Sequence, residues 1–165
     1  MAKRQVFFSF EYKKDCQRAA KVRNMGKVDD SSTFSDNDWE EVKSKDDETI
    51  KKWIDNQLSY RSVLVVLIGE TTYSRKWIKY EIQKAYELGK GLVGIYIHNL
   101  EDLNGNQTDK GPNPFNFIKA DDGKYLSEYV ECYNPPYALS KNVYNDIRDK
   151  IEVLIERAYK NSGTY

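Results

Sequence analysis

The sequence predicts an α/β domain whose mostly parallel sheet is covered by helices on both faces. Three observations carry that prediction. SVLVVLIG (62–69) is a continuous aliphatic run ended by glycine, which implies a strand buried on both faces, as in the middle of a parallel sheet. Strand-like and helix-like stretches alternate along the chain, the signature of a parallel sheet wound by helices. The 165 residues suit one domain spanning 1–165, long enough to bury a core without disulfide staples.

The elements follow in order. QVFFSF (5–10) is a short apolar run, read as a buried first strand. The charged stretch after it, through about Asn24, carries Ala19, Ala20 and Val22 and reads as a helix. Residues 26–47 are rich in Gly, Asp, Ser and Asn, and read as a long loop with at most one weak strand. DDETIKKWIDNQL (46–58) places Ile50, Trp53, Ile54 and Leu58 at helical spacing. Its leading aspartates suit the helix dipole and can cap it. After the strand at 62–69, RKWIKYEIQKAYELGKG (75–91) reads as a helix with Ser74 as N-cap and Gly89 or Gly91 at its stop.

GLVGIYIHN (91–99) is the next strand, and NLEDLNGNQTDKGPNPF (99–115) is a turn-rich excursion. In it Gly111 is expected to supply an unusual backbone angle, and the prolines to stiffen the loop. KYLSEYVECY (124–133) reads as a short edge strand, before a break at Pro135–Pro136. SKNVYNDIRDKIEVLIERAY (140–159) closes the chain as an amphipathic helix with Val143, Ile147, Ile151, Leu154, Ile155 and Ala158 on one face.

With about five strands, the flavodoxin-like order 2-1-3-4-5 is expected. Ligands of such sheets bind outside the carboxyl ends of the strands, at the switch point between strands 1 and 3. Here that crevice is walled by Ser9, Phe10 and Glu11 on one side and Gly69 to Arg75 on the other. The loop around Phe34 to Trp39 forms its third wall.

Composition narrows the function. The 26 basic and 26 acidic residues balance, which argues against nucleic acid as a partner, since such domains carry a basic footprint. No apolar run approaches the roughly 18 residues that span a bilayer, and MAKRQVFFSF is too short in apolar residues for a secretory signal. Cys16 and Cys132 have neither metal-ligand nor disulfide spacing, and one histidine, His98, excludes a multi-histidine metal site. A cytoplasmic protein without a metal or a bound cofactor is the expected setting.

One residue breaks the pattern of the helix at 75–91. At about 100° per residue from Trp77, Leu88 falls near 20°, Ala85 near 80°, Ile78 near 100° and Ile82 near 140°. Glu81 falls near 40°, inside the apolar arc. A carboxylate buried without a partner costs several kcal/mol or shifts its pKa upward. Two readings stand at this point: a buried ion pair with Arg75 or a lysine, and a functional carboxylate.

VFFSF, VLVVLIG and the run TYSRKWIKYE, with Trp77 followed four residues later by Glu81, resemble the TIR domain family. VRN at 22–24, Phe34 five residues before Trp39, and KGPNPF at 110–115 resemble more narrowly the TIR proteins of bacterial Thoeris anti-phage defence. The likeness runs from residue 1 to about 117, and the part from about 118 is less typical.

The resemblance implies an enzyme with NAD as substrate. Such an enzyme cleaves the nicotinamide–ribose bond and makes a cyclic ADP-ribose isomer, a signal that activates a separate effector. It maps the catalytic glutamate onto Glu81 and the substrate-lining strand end onto Ser9 and Phe10. Phe34, Asp36, Trp39, Arg75 and Trp77 complete the expected substrate-binding set, with Asp36 and Asp38 both open as the residue facing the ligand. Self-association and a phage-derived trigger are implied as well. The alternatives are a non-catalytic TIR adaptor module and a nucleoside deoxyribosyltransferase, which also pairs a glutamate with a ribosyl bond. A phosphoacceptor receiver is excluded, because Ser-Phe-Glu at the first strand end lacks the paired acids of a magnesium site.

Overall fold

The computed structural model describes residues 3–28, 42 and 44–165. Four strands, β1 (Val6–Ser9), β2 (Val63–Ile68), β3 (Gly91–Tyr96) and β4 (Glu131–Tyr133), form one sheet in the order β1-β2-β3-β4. All three pairings are parallel. Among the described residues, four helices of 12 residues or more accompany them: α1 (Tyr12–Arg23), α2 (Asp47–Ser59), α3 (Lys76–Glu87) and α4 (Ser140–Lys160). The five-strand order 2-1-3-4-5 is therefore not what the described residues form. The weak strand expected within 26–47 falls largely outside them.

Successive side chains of a strand point to opposite faces, and the core divides accordingly. Val63, Val65 and Leu67 of β2 pack with Val6, Phe8, Val93 and Ile95 beneath α1 and α4. Leu64, Val66 and Ile68 pack with Phe7 and Leu92 beneath α2 and α3. Every residue of β2 is buried, which is why the run carries no alternation. Burying each such side chain contributes about 1.5–3 kcal/mol.

The helix ends follow from local chemistry. Asp46 caps α2, its carboxylate accepting from the Thr49 N–H at 2.8 Å. α3 stops at Gly89, whose φ of 70° is the left-handed region glycine enters freely. There Gly89 N–H donates to Tyr86 O and Lys90 N–H to Ala85 O, both at 3.0 Å, the paired bonds of a Schellman ending. The start of α3 differs from expectation by one residue. Ser74 closes a 3-10 turn, Thr72–Ser74, and Arg75 is the N-cap without a side-chain bond.

Two further expectations are corrected. Of 124–133, the last three residues alone form β4; Leu126–Glu128 is a 3-10 turn that buries Leu126 in the core. An edge strand gains pairing on one side, so the chain gives up strand geometry where Leu126 can reach the core. Gly111 is needed for space and not for its backbone angle. A Cβ there would lie 2.3 Å from Gly69 O and 2.4 Å from Glu70 O, and its φ is not positive. The loop thus presses on the carboxyl end of β2, and Phe115 is fully buried in the core.

Candidate active site

Parallel pairing sets Ser9, the last residue of β1, beside Val66 of β2, so the chain leaves both strands at the same edge. A cavity of about 350 Å³ opens there. Phe10, Glu11, Tyr12 and Lys13 line it from the β1–α1 junction. Arg75, Lys76, Trp77, Ile78 and Glu81 line it from the start and flank of α3. Glu81 lies about 9 Å along the helix from its first residues, and the cavity reaches it. Trp77 and Glu81, four residues apart, share that flank as helical spacing requires.

Glu81 is 5% exposed and is held by the Ser9 hydroxyl, which donates to Oε2. The cations nearby in sequence go elsewhere. Arg75 faces Glu11, with Nε 3.9 Å from Oε1; Lys76 pairs with Asp47, and Lys84 with Asp55 at 4.0 Å. Among the described residues Glu81 has no ion pair, and Arg75, the partner expected by name, faces Glu11 instead. Burial therefore pushes its carboxyl up to about 8, against the smaller downward pull of the Ser9 hydrogen bond. Ser9→Ala is expected to raise it further, read from the pH titration of the Glu81 carboxyl carbon by 13C NMR. An unmoved titration would remove Ser9 from that role.

Glu11 is the residue whose part the sequence understated. It was placed on the crevice wall but not among the binding residues. It is buried, accepts from the Thr71 hydroxyl, and faces Arg75, so it ties the β1–α1 junction to the segment before α3. The signal available was its place directly after a strand end. Phe10 and Trp77 are half-buried lining residues, and Trp77 meets Tyr80 edge-on at 5.8 Å. Phe34, Asp36, Asp38 and Trp39, and with them the third wall, lie outside the described residues.

Behind the cavity, Arg18 of α1 is buried. It donates to Leu100 O at 2.8 Å and Asn106 O at 2.6 Å, and pairs with Asp15 at 3.1 Å. These contacts tie α1 to the loop after β3. His98 is buried outside the cavity lining, and its Nδ1 has no hydrogen-bond partner among the described residues. Burial and Lys110 push its pKa down, so it stays neutral. The Cys132 thiol is driven up to about 12 by burial, which makes it a poor nucleophile. Among the described residues no cluster of three or more His, Cys, Asp or Glu side chains could hold a metal, and no helix is long and apolar enough to cross a membrane.

A buried carboxylate without a fixed cation among the described residues, in a partly aromatic cavity, is arranged to meet positive charge that arrives with or develops on a ligand. Comparison with known proteins gives the family. The family described as "Thoeris protein ThsB, TIR-like domain" matches residues 7–102. The chain is 41% identical over 137 residues to "Putative cyclic ADP-D-ribose synthase ThsB1" of Bacillus cereus (strain MSX-D12), covering 78% of this chain and 71% of that protein. The chain belongs to the TIR-like domain family of the Thoeris protein ThsB.

Proposed function

We propose that the chain is an NAD-processing TIR enzyme of anti-phage defence. It breaks the nicotinamide–ribose bond and releases a cyclic ADP-ribose isomer that activates a separate effector. The observation that carries this reading is Glu81, buried at the base of the cavity with a hydroxyl for company and, among the described residues, no cation.

The chemistry suits one carboxylate. The nicotinamide ring of NAD is positively charged and departs neutral, so no acid is needed to help it leave. Positive charge grows on the ribose in an oxocarbenium-like transition state, and a carboxylate in a low-dielectric cavity stabilises that charge. Before reaction the cationic ring also favours the ionised form of Glu81, lowering a carboxyl that burial has raised. Phe10 and Trp77 supply faces for stacking and keep water from the ribose. A dry cavity favours attack by a hydroxyl of the same molecule, hence cyclisation over hydrolysis. Trp39 and Asp36 belong to this reading as further ligand contacts. A cytoplasmic homo-oligomer, switched on by a phage-derived trigger, is the proposed working form.

The test is to incubate the purified protein with NAD, with and without lysate from phage-infected cells, and to resolve the nucleotide products. A cyclic ADP-ribose isomer is expected. Silence in every condition would leave a non-catalytic interaction module as the better account.

A further inference from the structure

The mouth of the cavity has a chemistry of its own. Arg75 stands there with its side chain 57% exposed, and its Nε faces Glu11 at 3.9 Å. Among the described residues its two terminal nitrogens have no hydrogen-bond partner. A guanidinium is a rigid planar fork that matches two oxygens of a phosphate or carboxylate. Holding it from the Nε side therefore leaves the fork free. Glu11 is itself fixed by the Thr71 hydroxyl, so the anchor is a buried side chain tied to two segments. Lys13 lines the same mouth without an ion-pair partner among the described residues, and Lys76 does so while pairing with Asp47 and lying 4.8 Å from the Trp77 ring centre. Cationic groups thus stand at the opening, and a carboxyl with no cation among the described residues sits at the base.

A ligand that fits this polarity is anionic at one end and carries its reacting, positively charged centre at the other. We propose that Arg75, anchored by Glu11 and joined by Lys13 and Lys76, is a diphosphate clamp that seats a dinucleotide with its ribosyl bond at Glu81. The depth assignment rests on the NAD reading above; the clamp itself needs only a diphosphate. Arg75 and Lys13 are the electrostatic contacts, and Glu11 sets where the Arg75 fork stands.

The probe is inorganic pyrophosphate, titrated into the wild-type chain by calorimetry. Binding is expected, weakened about tenfold in Arg75→Ala, with Arg75→Lys intermediate because charge remains and the fork is lost. Because Arg75 is exposed and meets the buried Glu11 only at 3.9 Å, the melting temperatures of these variants should fall by no more than a few degrees. No binding, or equal binding to wild type and Arg75→Ala, overturns the clamp.

Turnover supplies an independent arm. Arg75→Ala should raise KM for NAD about tenfold while leaving cleavage of nicotinamide riboside, which lacks a diphosphate, at the wild-type rate. Equal losses on both substrates overturn the clamp and move Arg75 to the reacting ribose. A chain that cleaves neither substrate yet holds pyrophosphate through Arg75 removes the enzyme reading and keeps the clamp.

Discussion

Glu81→Gln is expected to leave a folded chain with about a hundred- to a thousandfold lower release of nicotinamide. The loss follows from removing the ionisable group at the cavity base, since electrostatic stabilisers of this kind are worth about 10²–10³ in rate. Stability separates this role from a structural one. The folded carboxyl is raised from an ordinary value of 4.5 to about 8. The native state therefore binds more protons than the unfolded state between these values, and stability falls as pH rises through that window. At about 1.4 kcal/mol per unit, the loss has an upper bound of roughly 5 kcal/mol, complete above about pH 8. Glu81→Gln removes that slope. Thermal melts at pH 5, 7 and 9 should show the variant gaining on wild type toward alkaline pH. A buried ion pair predicts the opposite, a destabilised variant at neutral pH, and that result would return Glu81 to a structural role.

Activity should carry the same carboxyl. In the wild type, kcat/KM reports the free enzyme and should climb with pH through about 8. The matching limb in kcat should lie lower, because the bound nicotinamide ring favours the carboxylate. Coincident limbs would mean that the ring does not approach Glu81.

Arg18→Met is expected to produce the largest loss of stability, about 3–5 kcal/mol, because it strands one half of a buried charge pair. Arg18 is 2% exposed, and its guanidinium serves Leu100 O, Asn106 O, Lys14 O and Asp15. Without it the buried acceptors, Leu100 O and the Asp15 carboxylate, lose a donor in a dry setting. Asp15 loses the cation that opposes the upward push of burial on its pKa. Denaturant midpoints measure the effect. Adding Asp15→Leu to Arg18→Met should recover part of it, as apolar replacement of a whole buried pair often does. A single variant within 1 kcal/mol of wild type would show that water reaches the cluster.

Much of this architecture is written in local pattern. The aliphatic run of β2 announces a strand buried on both faces, Asp46 announces a cap, and Gly89 announces a stop, because each rests on chemistry within a few residues. Glu81 was legible for the same reason: a helix has one apolar arc, and a carboxylate inside it stands out. Its partner was not, since the Ser9 hydroxyl lies 72 residues away along the chain. Arg18 reads in sequence as one more charge on a polar helix, and the loop after β3 decides its burial. The extent of β4 was overstated because Tyr125, Tyr129 and Tyr133, four residues apart, fit one face of a strand as well as they fit a turn with one residue anchored in the core.

Where α1, the end of β2 and the loop after β3 meet, two positions have no side chain to give. A Cβ on Gly69 would fall 2.1 Å from the Asp15 carboxylate, and one on Gly111 would meet the backbone of Gly69 and Glu70. Drift among relatives can refill the aliphatic faces of the sheet at small cost, since cores accept swaps that conserve volume. These two positions act instead as frozen letters. A library aimed at new substrates should vary the cavity mouth and leave both glycines alone, and the exposed tip at Leu103–Gly105 is the place to graft a tag.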